Sequence, residues 1–228
     1  MSVKIDGLLN NYTLITSNRK SVSLSVSAER ELIVRAPFKF PKSRIEELIA
    51  SKTEWIVKQM QRAEILQDFK ESLNFEEGRE ILYLGQKYSI VYDESLPNIT
   101  LADRLYIPTK LKYKVPQAIE QWYLSKGKKY IFKQMEELCQ IHDFRYNNMR
   151  ITRAMQRWGS CNSNGNICFS WRLIMAPPEV VKYVIIHELV HLKVHDHSKR
   201  FWSQVEQLCP NYRTHRKWLK QNGMMLIL

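Results

Sequence analysis

The stretch His187-Glu188-Leu189-Val190-His191 combines residue types that bind a metal ion with a type that activates water. Its two histidines stand four positions apart, so on an α-helix they would lie on one face about one turn apart and could share one ion. Glu188 would lie about 100° around the helix from His187, which suits it to hold a water molecule rather than the ion. The spacing therefore predicts a metal site that performs hydrolysis.

The residues around this stretch predict that it belongs to a mostly buried helix. Pro177-Pro178-Glu179 is typical of a helix start, with proline in the first turn and an acid near the positive end of the helix dipole. The apolar residues that follow would form a broad buried stripe, and they are Val180, Val181, Val184, Ile185, Leu189 and Leu192. A lone buried histidine usually only hydrogen-bonds a carbonyl group, but two at this spacing with a glutamate between them favour metal binding.

A third metal ligand must come from beyond this helix, and His195 and His197 are the candidates. If the helix continued, His195 would lie about 12 Å along its axis from His187, which strains the reach of two imidazoles around one ion. His197 fits better if the chain turns back after about Val194. His195 and Asp196 tolerate the left-handed backbone that such a turn would use. We therefore predict His197 as the third ligand.

Several blocks of the chain together resemble the YgjP-like metallopeptidase family, relatives of the SprT-type and WLM-type zincins. One block is the histidine stretch with its HExxH pattern, and the blocks around it are Arg157 to Cys161, Pro177 to Val184, His197-Ser198, Phe201-Trp202, Pro210 to Tyr212 and Arg216 to Leu219. The resemblance is densest from about residue 157 to 219. It is looser before that, where Trp55-Ile56 and Leu82 to Gly85 resemble the amino-terminal half of the family.

This resemblance implies an α+β fold, in which a zincin-like domain with an active-site helix and a short β-sheet follows a β-rich amino-terminal region with one long helix. It implies a zinc ion held by His187, His191 and His197, with Glu188 as general base. An all-imidazole ligand set also accepts other divalent transition metals. Related zincins are peptidases, some acting on proteins bound to DNA, whereas hydrolysis of nucleotide phosphoanhydrides has been proposed within the YgjP-like group.

The composition is that of a globular protein, with 44% hydrophobic residues. The sequence contains no run of about 18 apolar residues and no continuous hydrophobic segment near its start, so we expect no membrane span, no secretion signal and a cytoplasmic location. Cys139, Cys161, Cys168 and Cys209 follow no paired spacing, so we expect reduced thiols. Cys161 follows Trp-Gly-Ser as in papain-type enzymes, but Asn162 after it disfavours thiol catalysis.

The chain carries a net charge of +12 and has a pI near 9.5, which would concentrate anionic partners such as nucleic acid, nucleotides or acidic peptides. The basic residues cluster in Lys126 to Lys129, Lys199-Arg200 and Arg213 to Lys220, with Trp202, Tyr212 and Trp218 interleaved in the last two. A solvated basic face accounts for these clusters as well as a nucleic-acid-binding surface does. The sequence contains no recognisable nucleic-acid-binding motif.

Hydrophobic periodicity predicts a β-rich region followed by the site. Predicted strands cover residues 22–26, 32–34, 81–84, 88–92 and 99–107, and predicted helices cover 41–70 and 116–141. A domain boundary is expected near residue 112, dividing the chain into a β-rich region, 1–112, and a zincin-like hydrolase domain, 113–228.

Two further β segments, 149–152 and 166–171, flank the turn-rich residues 162–166. An extended peptide could add a strand to this edge, so residues 158–170 are a candidate substrate wall, unless the hairpin only packs on the helix. Candidate substrate-binding residues, which include donors for a developing negative charge, are Arg157, Trp158, Asn162, Tyr183 and Tyr212.

Three functions remain open from the sequence. A zinc peptidase fits the full set of three histidines and Glu188, and its partner would be a protein or peptide substrate. A nucleotide or phosphoanhydride hydrolase would use the same site and fits the basic charge. A non-catalytic DNA- or partner-binding module with a structural zinc ion is disfavoured by Glu188, which such a module does not need.

Overall fold

The computed structural model of the chain describes residues 11–27, 29–71 and 75–226. Helices alternate with small sheets in this part of the chain, so the mixed α+β class predicted from the sequence is confirmed. The chain falls into two compact units, Met1–Leu73 and Asn74–Leu228. None of the described helices combines the length and the apolar composition that crossing a membrane requires.

The first unit contains a three-stranded sheet made of β1 (Tyr12–Ser17), β2 (Ser23–Val26) and β3 (Leu32–Pro37). The central strand β3 pairs in parallel with β1 and antiparallel with β2. The core residues of this unit alternate along β3 and continue on the helices after it, and they are Leu32, Val34, Ala36, Ile45, Ile49 and Ile56. Alternation along a strand puts one set of side chains on the buried face of the sheet.

The single helix predicted over residues 41–70 is two helices, α1 (Lys42–Ser51) and α2 (Thr53–Glu71). Lys52, between them, has φ −114° and ψ 12°, which departs from helical values. The Thr53 hydroxyl donates to the carbonyl oxygens of Ile49 and Ala50 over 3.1 and 3.0 Å. The periodicity of apolar residues continues across this bend, which explains why the sequence did not reveal it.

The second unit begins with a sheet in the order β4-β5-β7-β6, whose strands are β4 (Glu80–Tyr83), β5 (Gln86–Asp93), β6 (Thr100–Leu101) and β7 (Leu105–Pro108). The strand predicted over residues 99–107 is in fact the antiparallel pair β6 and β7. In the turn between them the Ala102 N–H donates to the Arg104 carbonyl oxygen over 3.0 Å. Strands β5 and β7 pair in parallel.

This four-stranded sheet lies in the second unit, whereas the sequence placed a boundary near residue 112. Its buried side chains belong to the same hydrophobic cluster as those of the later helices. The Leu84 N–H donates to the Ile174 carbonyl oxygen over 2.8 Å, and the Tyr123 hydroxyl donates to the Leu82 carbonyl oxygen. Because these contacts join residues far apart in the chain, local composition does not reveal them.

Replacing Gly85 with alanine should lower the free energy of unfolding by about 1–3 kcal/mol more than replacing Gly78 does, because the added methyl group would overpack its surroundings. Both glycines have positive φ angles, 76° and 84°, so alanine strains the backbone at either position. A Cβ at residue 78 would meet nothing within 4 Å, whereas one at residue 85 would lie 3.0 Å from the Pro177 Cα. Urea unfolding of both variants measures the difference, and equal losses would contradict the predicted clash.

The elements that carry the predicted site follow a long helix, α3 (Val115–His142). They are β8 (Asn148–Thr152), β9 (Gly159–Cys161), β10 (Asn166–Ser170), α4 (Pro178–Val190), α5 (Lys199–Leu208) and α6 (Tyr212–Asn222). Strand β10 pairs in parallel with β8 and antiparallel with β9, and β9 is an edge strand that packs against α4. The sequence predicted β8 and β10 but missed β9, which is too short to show an alternating pattern.

Candidate metal centre

Helix α4 carries His187 and Glu188 near its end and is enclosed by protein along most of its length. Its sequence is apolar around almost the whole helix, and such a helix is stable only when buried. The helix ends at Val190, and His191 stands in the turn that follows. The Val194 N–H donates to the Val190 carbonyl oxygen over 2.9 Å, which continues the helical path by one more turn.

The chain beyond this turn brings His197 to the two helix histidines. Ligand nitrogens of His187, His191 and His197 all lie within 4.8 Å of one another. The Nε2 atoms of His187 and His197 are 3.1 Å apart. His195 does not belong to this group and instead lines an open polar cleft beside Asn162. The structure thus brings together the three histidines that the sequence singled out.

The turn before His197 is made differently from the way the sequence suggested. We expected left-handed backbone at His195 and Asp196, but neither residue has a positive φ angle. The Asp196 carboxylate accepts a hydrogen bond from the Ser198 N–H over 3.2 Å. Hydrogen bonds from the side chain and then from the backbone of Ser198 lower the pKa of that carboxyl group. A side-chain acceptor therefore stabilises the turn in place of an unusual backbone conformation.

The positions of the ring nitrogens fit a bound metal ion. His191 Nδ1 lies 3.0 Å from the Val194 carbonyl oxygen. Because a carbonyl oxygen can only accept, Nδ1 carries the proton and donates it. The lone pair of His191 Nε2 is then free to bind a metal ion. Nitrogens bound to one tetrahedral zinc ion at about 2.0–2.1 Å lie about 3.4 Å from each other. The 3.1 Å separation between His187 and His197 is close to that value.

The surroundings of these histidines favour the neutral imidazole, the form that binds metals. Burial, followed by the charges of the two partner histidines and of Arg216, lowers the pKa of His187 to about 3. Burial also lowers the pKa of His191, although its hydrogen bond to Val194 opposes the shift. Neither ring needs to lose a proton at neutral pH before a metal binds.

Two aromatic residues at the start of α5 hold the histidine rings. The fully buried Phe201 ring has its centroid 4.9, 4.4 and 4.8 Å from those of His187, His191 and His197. The Trp202 ring stacks on His197 at 5.7 Å and an interplanar angle of 26°. The sequence placed both residues in the family resemblance and Trp202 also beside a basic cluster, but predicted no contact of either with the histidines. Their position one helical turn after His197 is the pattern that could have indicated this packing.

Glu188 is 5% exposed and faces strand β9. Burial raises the pKa of its carboxyl group to about 8, and the nearby Arg157 opposes this shift. A Cβ built on Gly159 would lie only 2.5 Å from Glu188 Oε1, so the carboxylate packs directly on the backbone of β9. Burial, and then the charge of Glu188, raises the pKa of the free Cys161 thiol to about 11. That thiol stays protonated at neutral pH, which disfavours thiol catalysis.

Gly159→Ala should lower turnover by about 100-fold, the cost expected when a catalytic group is displaced by about 1 Å. The new methyl group would occupy the space of the buried Glu188 carboxylate, so the melting temperature should fall, while the bound metal should change little. Ser160→Ala is the matched control, because alternate residues of a strand point to opposite faces. Steady-state kinetics with elemental analysis measure both variants, and similar turnover in the two would contradict a role for Gly159 in positioning Glu188.

The predicted substrate-binding residues lie in different surroundings. Arg157 is close enough to Glu188 to affect its pKa. Tyr183 is buried with its ring 6.0 Å from His187, and burial raises its pKa to about 12. Tyr212 stacks on Trp202 at 5.3 Å. The structure therefore brings Arg157, Tyr183 and Tyr212 to the histidine cluster, and their role in binding substrate stays a prediction.

The other two predicted residues have structural contacts. The Trp158 ring packs under the Arg172 guanidinium, at 5.0 Å, and against Gly223, where an added Cβ would lie 2.7 Å from the ring. The Asn162 side-chain oxygen accepts hydrogen bonds from the backbone N–H groups of Asn164 and Asn166 over 3.1 and 3.0 Å. It thereby closes the turn between β9 and β10.

Helix α6 adds two residues that the sequence analysis did not assign to the site. The Arg216 guanidinium lies 4.8 Å over the Trp202 ring, and the His215 ring lies 6.3 Å from Tyr183. With Tyr212 they occupy positions i, i+3 and i+4, which share one face of a helix. That spacing was visible in the sequence, but nothing local showed that this face meets the histidine cluster.

A group of convergent imidazoles beside a buried carboxylate defines the general class of metal-dependent hydrolases. Comparison with known sequences agrees, because the sequence model of the YgjP-like family, described as a metallopeptidase domain, matches residues 20–222. The chain belongs to this family, as its motifs predicted. The chain is also similar to a solved structure, the metallopeptidase zymogen of Pyrococcus abyssi abylysin. The two sequences are 24% identical and the TM-score is 0.36. The match covers 40% of this chain and 93% of that chain. No curated protein matches the chain.

Proposed function

We propose that this protein is a zinc-dependent peptidase in which Glu188 activates the attacking water. The convergence of three histidine ligand atoms within 4.8 Å beside the buried Glu188 carries this proposal. Membership in a metallopeptidase family supports it. His187, His191 and His197 would hold the ion, and the all-imidazole set is well suited to zinc.

The residues of the site divide the chemical work among them. When bound, zinc supplies a Lewis acid that polarises the scissile carbonyl group and makes water more acidic. Glu188 accepts the proton of the attacking water and returns it to the leaving amine. Burial raises the pKa of this carboxyl group, which makes the carboxylate a stronger base towards the proton of the water. Arg157 and Tyr183 are the candidate donors for the negative charge on the carbonyl oxygen.

Strand β9 supports a peptide as the substrate. In the described part of the chain β9 pairs with no strand other than β10, so its other edge has no strand partner. A peptide added there would hydrogen-bond the backbone of the strand that also contacts Glu188. The scissile bond would then lie beside the carboxylate, as the candidate substrate wall over residues 158–170 requires.

A second candidate function is hydrolysis of nucleotide phosphoanhydrides at the same site. The net charge of +12 favours it, because a basic surface concentrates phosphate-bearing substrates. Lys199-Arg200 and the basic residues of α6 lie on the helices that adjoin the histidine cluster. A non-catalytic DNA-binding module remains the least favoured function, because it gives the buried Glu188 no task.

Metal analysis combined with turnover assays tests the proposal. The purified protein should contain about one zinc ion per chain and release peptides from an unfolded protein such as reduced casein. A chelator such as 1,10-phenanthroline should abolish this activity, and added zinc should restore it. Phosphate release from nucleotides without peptide cleavage would favour the second candidate. Fully metallated protein that cleaves neither substrate would exclude both.

A further inference from the structure

One face of helix α6 lies against the histidine cluster through aromatic contacts. Tyr212 stacks on Trp202 at 5.3 Å and 19°, and Trp202 in turn stacks on His197 at 5.7 Å and 26°. One helical turn later, His215 lies 6.3 Å from Tyr183, whose ring is 6.0 Å from His187. These two chains of contacts fix the position of α6 relative to the histidines.

Arg216 lies on this face and is held by the same tryptophan. Its guanidinium carbon is 4.8 Å from the centre of the Trp202 ring. A guanidinium packed over an aromatic ring keeps its N–H groups at the edge of the plane, free to donate to a flat acceptor. Its positive charge also acts on His187 and Tyr183. Arg216 is therefore a preoriented cation beside the candidate metal centre.

The positive charge of Arg216 has no acidic neighbour among the described residues. No carboxylate there lies within ion-pair distance of this exposed side chain. Arg213 of the same helix differs, because it lies 3.6 Å from Glu206 and its Nε donates to the Tyr212 hydroxyl over 3.2 Å. A cation that is oriented by packing but lacks a counter-charge is suited to bind an anionic group of a ligand.

We propose that Arg216, supported by Trp202, forms a subsite that binds a carboxylate of the peptide substrate. The fork of the guanidinium matches a carboxylate with two parallel hydrogen bonds. The inference rests on the proposed peptidase function, which makes a glutamate or aspartate side chain near the cleaved bond the expected source of that carboxylate. Arg216 would thus determine specificity, and Glu188 would still perform the proton transfers.

Matched peptides test the specificity. Once a cleaved sequence has been found, glutamate, glutamine and lysine are placed in turn at each position flanking the cleaved bond. At one position the wild type should prefer glutamate over glutamine by about tenfold in kcat/KM, a modest effect for a charged hydrogen bond at an exposed site. Arg216→Gln should remove this preference, and Arg216→Glu should change it to a preference for lysine. Lys217→Gln, an exposed neighbour on α6, should keep the wild-type preference.

A binding measurement tests the subsite without turnover. The indole N–H resonance of Trp202, assigned with Trp202→Phe, should shift saturably with N-acetylglutamate in the wild type. It should not shift with N-acetylglutamine α-amide, which carries no carboxylate, nor with either ligand in Arg216→Gln. If N-acetylglutamate produces this shift but no peptide is cleaved, the subsite stands and the peptidase function fails.

Two other results would overturn the subsite itself. One is peptide cleavage with no preference for glutamate at any position and no shift of the Trp202 resonance. The other is binding of inorganic phosphate at Trp202 more than tenfold tighter than N-acetylglutamate, which would assign the cation to phosphate instead of carboxylate.

Discussion

Glu188→Gln should lower peptide turnover by up to about 10⁴-fold while the protein keeps its metal. Glutamine has nearly the same size and fills the same space against Gly159, but it cannot accept a proton. The three histidines are unchanged, so zinc content should equal that of the wild type. Measured kcat values, together with elemental analysis of the same samples, test both halves of this expectation.

Glu179→Gln is the matched control for this substitution. Glu179 belongs to the first turn of the same helix α4 and is exposed, so the same chemical change should alter turnover by less than about twofold. Turnover by Glu188→Gln at the level of Glu179→Gln would show that Glu188 is not the base. Loss of metal from Glu188→Gln would instead show that this carboxylate helps to hold the ion.

His197→Ala should weaken zinc binding by more than about 100-fold and remove activity, because losing even a group that only orients a ligand costs about 10- to 100-fold. His195→Ala should keep both, since His195 lies outside the group of convergent nitrogens. The two substitutions remove the same imidazole two positions apart in the same turn. Comparing the two variants therefore distinguishes the loss of a ring at the metal site from the loss of any histidine in this turn.

Thermal unfolding with and without zinc separates metal loss from misfolding. A ligand that binds only the folded state raises the melting temperature, and the increase grows with the logarithm of its concentration divided by its Kd. Zinc should raise the melting temperature of the wild type and of His195→Ala, but not that of His197→Ala. Without zinc all three proteins should melt at similar temperatures, because His195 and His197 are both exposed. Stabilisation of His197→Ala by zinc as large as that of the wild type would exclude His197 as a ligand.

The histidine group could be predicted from sequence because most of it depends on local geometry. His187 and His191 are separated by about one turn of a helix, and short-range hydrogen bonds set that spacing. The choice of His197 over His195 followed from the distance along the same helix, and the structure brings His197 to the other two. The left-handed turn expected at His195 and Asp196 was wrong, since a side-chain hydrogen bond makes the turn instead.

Longer-range features were predicted less well. Strand β9 was missed. The two compact units divide after Leu73, and the domain boundary near residue 112 stays a prediction. The sheet of β4 to β7 packs with helices whose sequences follow much later, and no local pattern reveals such pairing. Trp158 contacts Arg172 and Gly223, and Asn162 closes the β9-β10 turn. No local pattern indicated these contacts, and the role of the two residues in binding substrate stays a prediction.

The sequence by itself determined the type of chemistry, since residue types and helical spacing specify three nitrogen donors and a carboxylate. The tertiary structure alone decided what surrounds them. Gly159 leaves space for the Glu188 carboxylate, and Arg216 reaches the histidine cluster over Trp202. These residues meet because segments that are distant in the chain pack against each other. Sequence patterns describe neighbouring residues only, so no local pattern predicts such contacts.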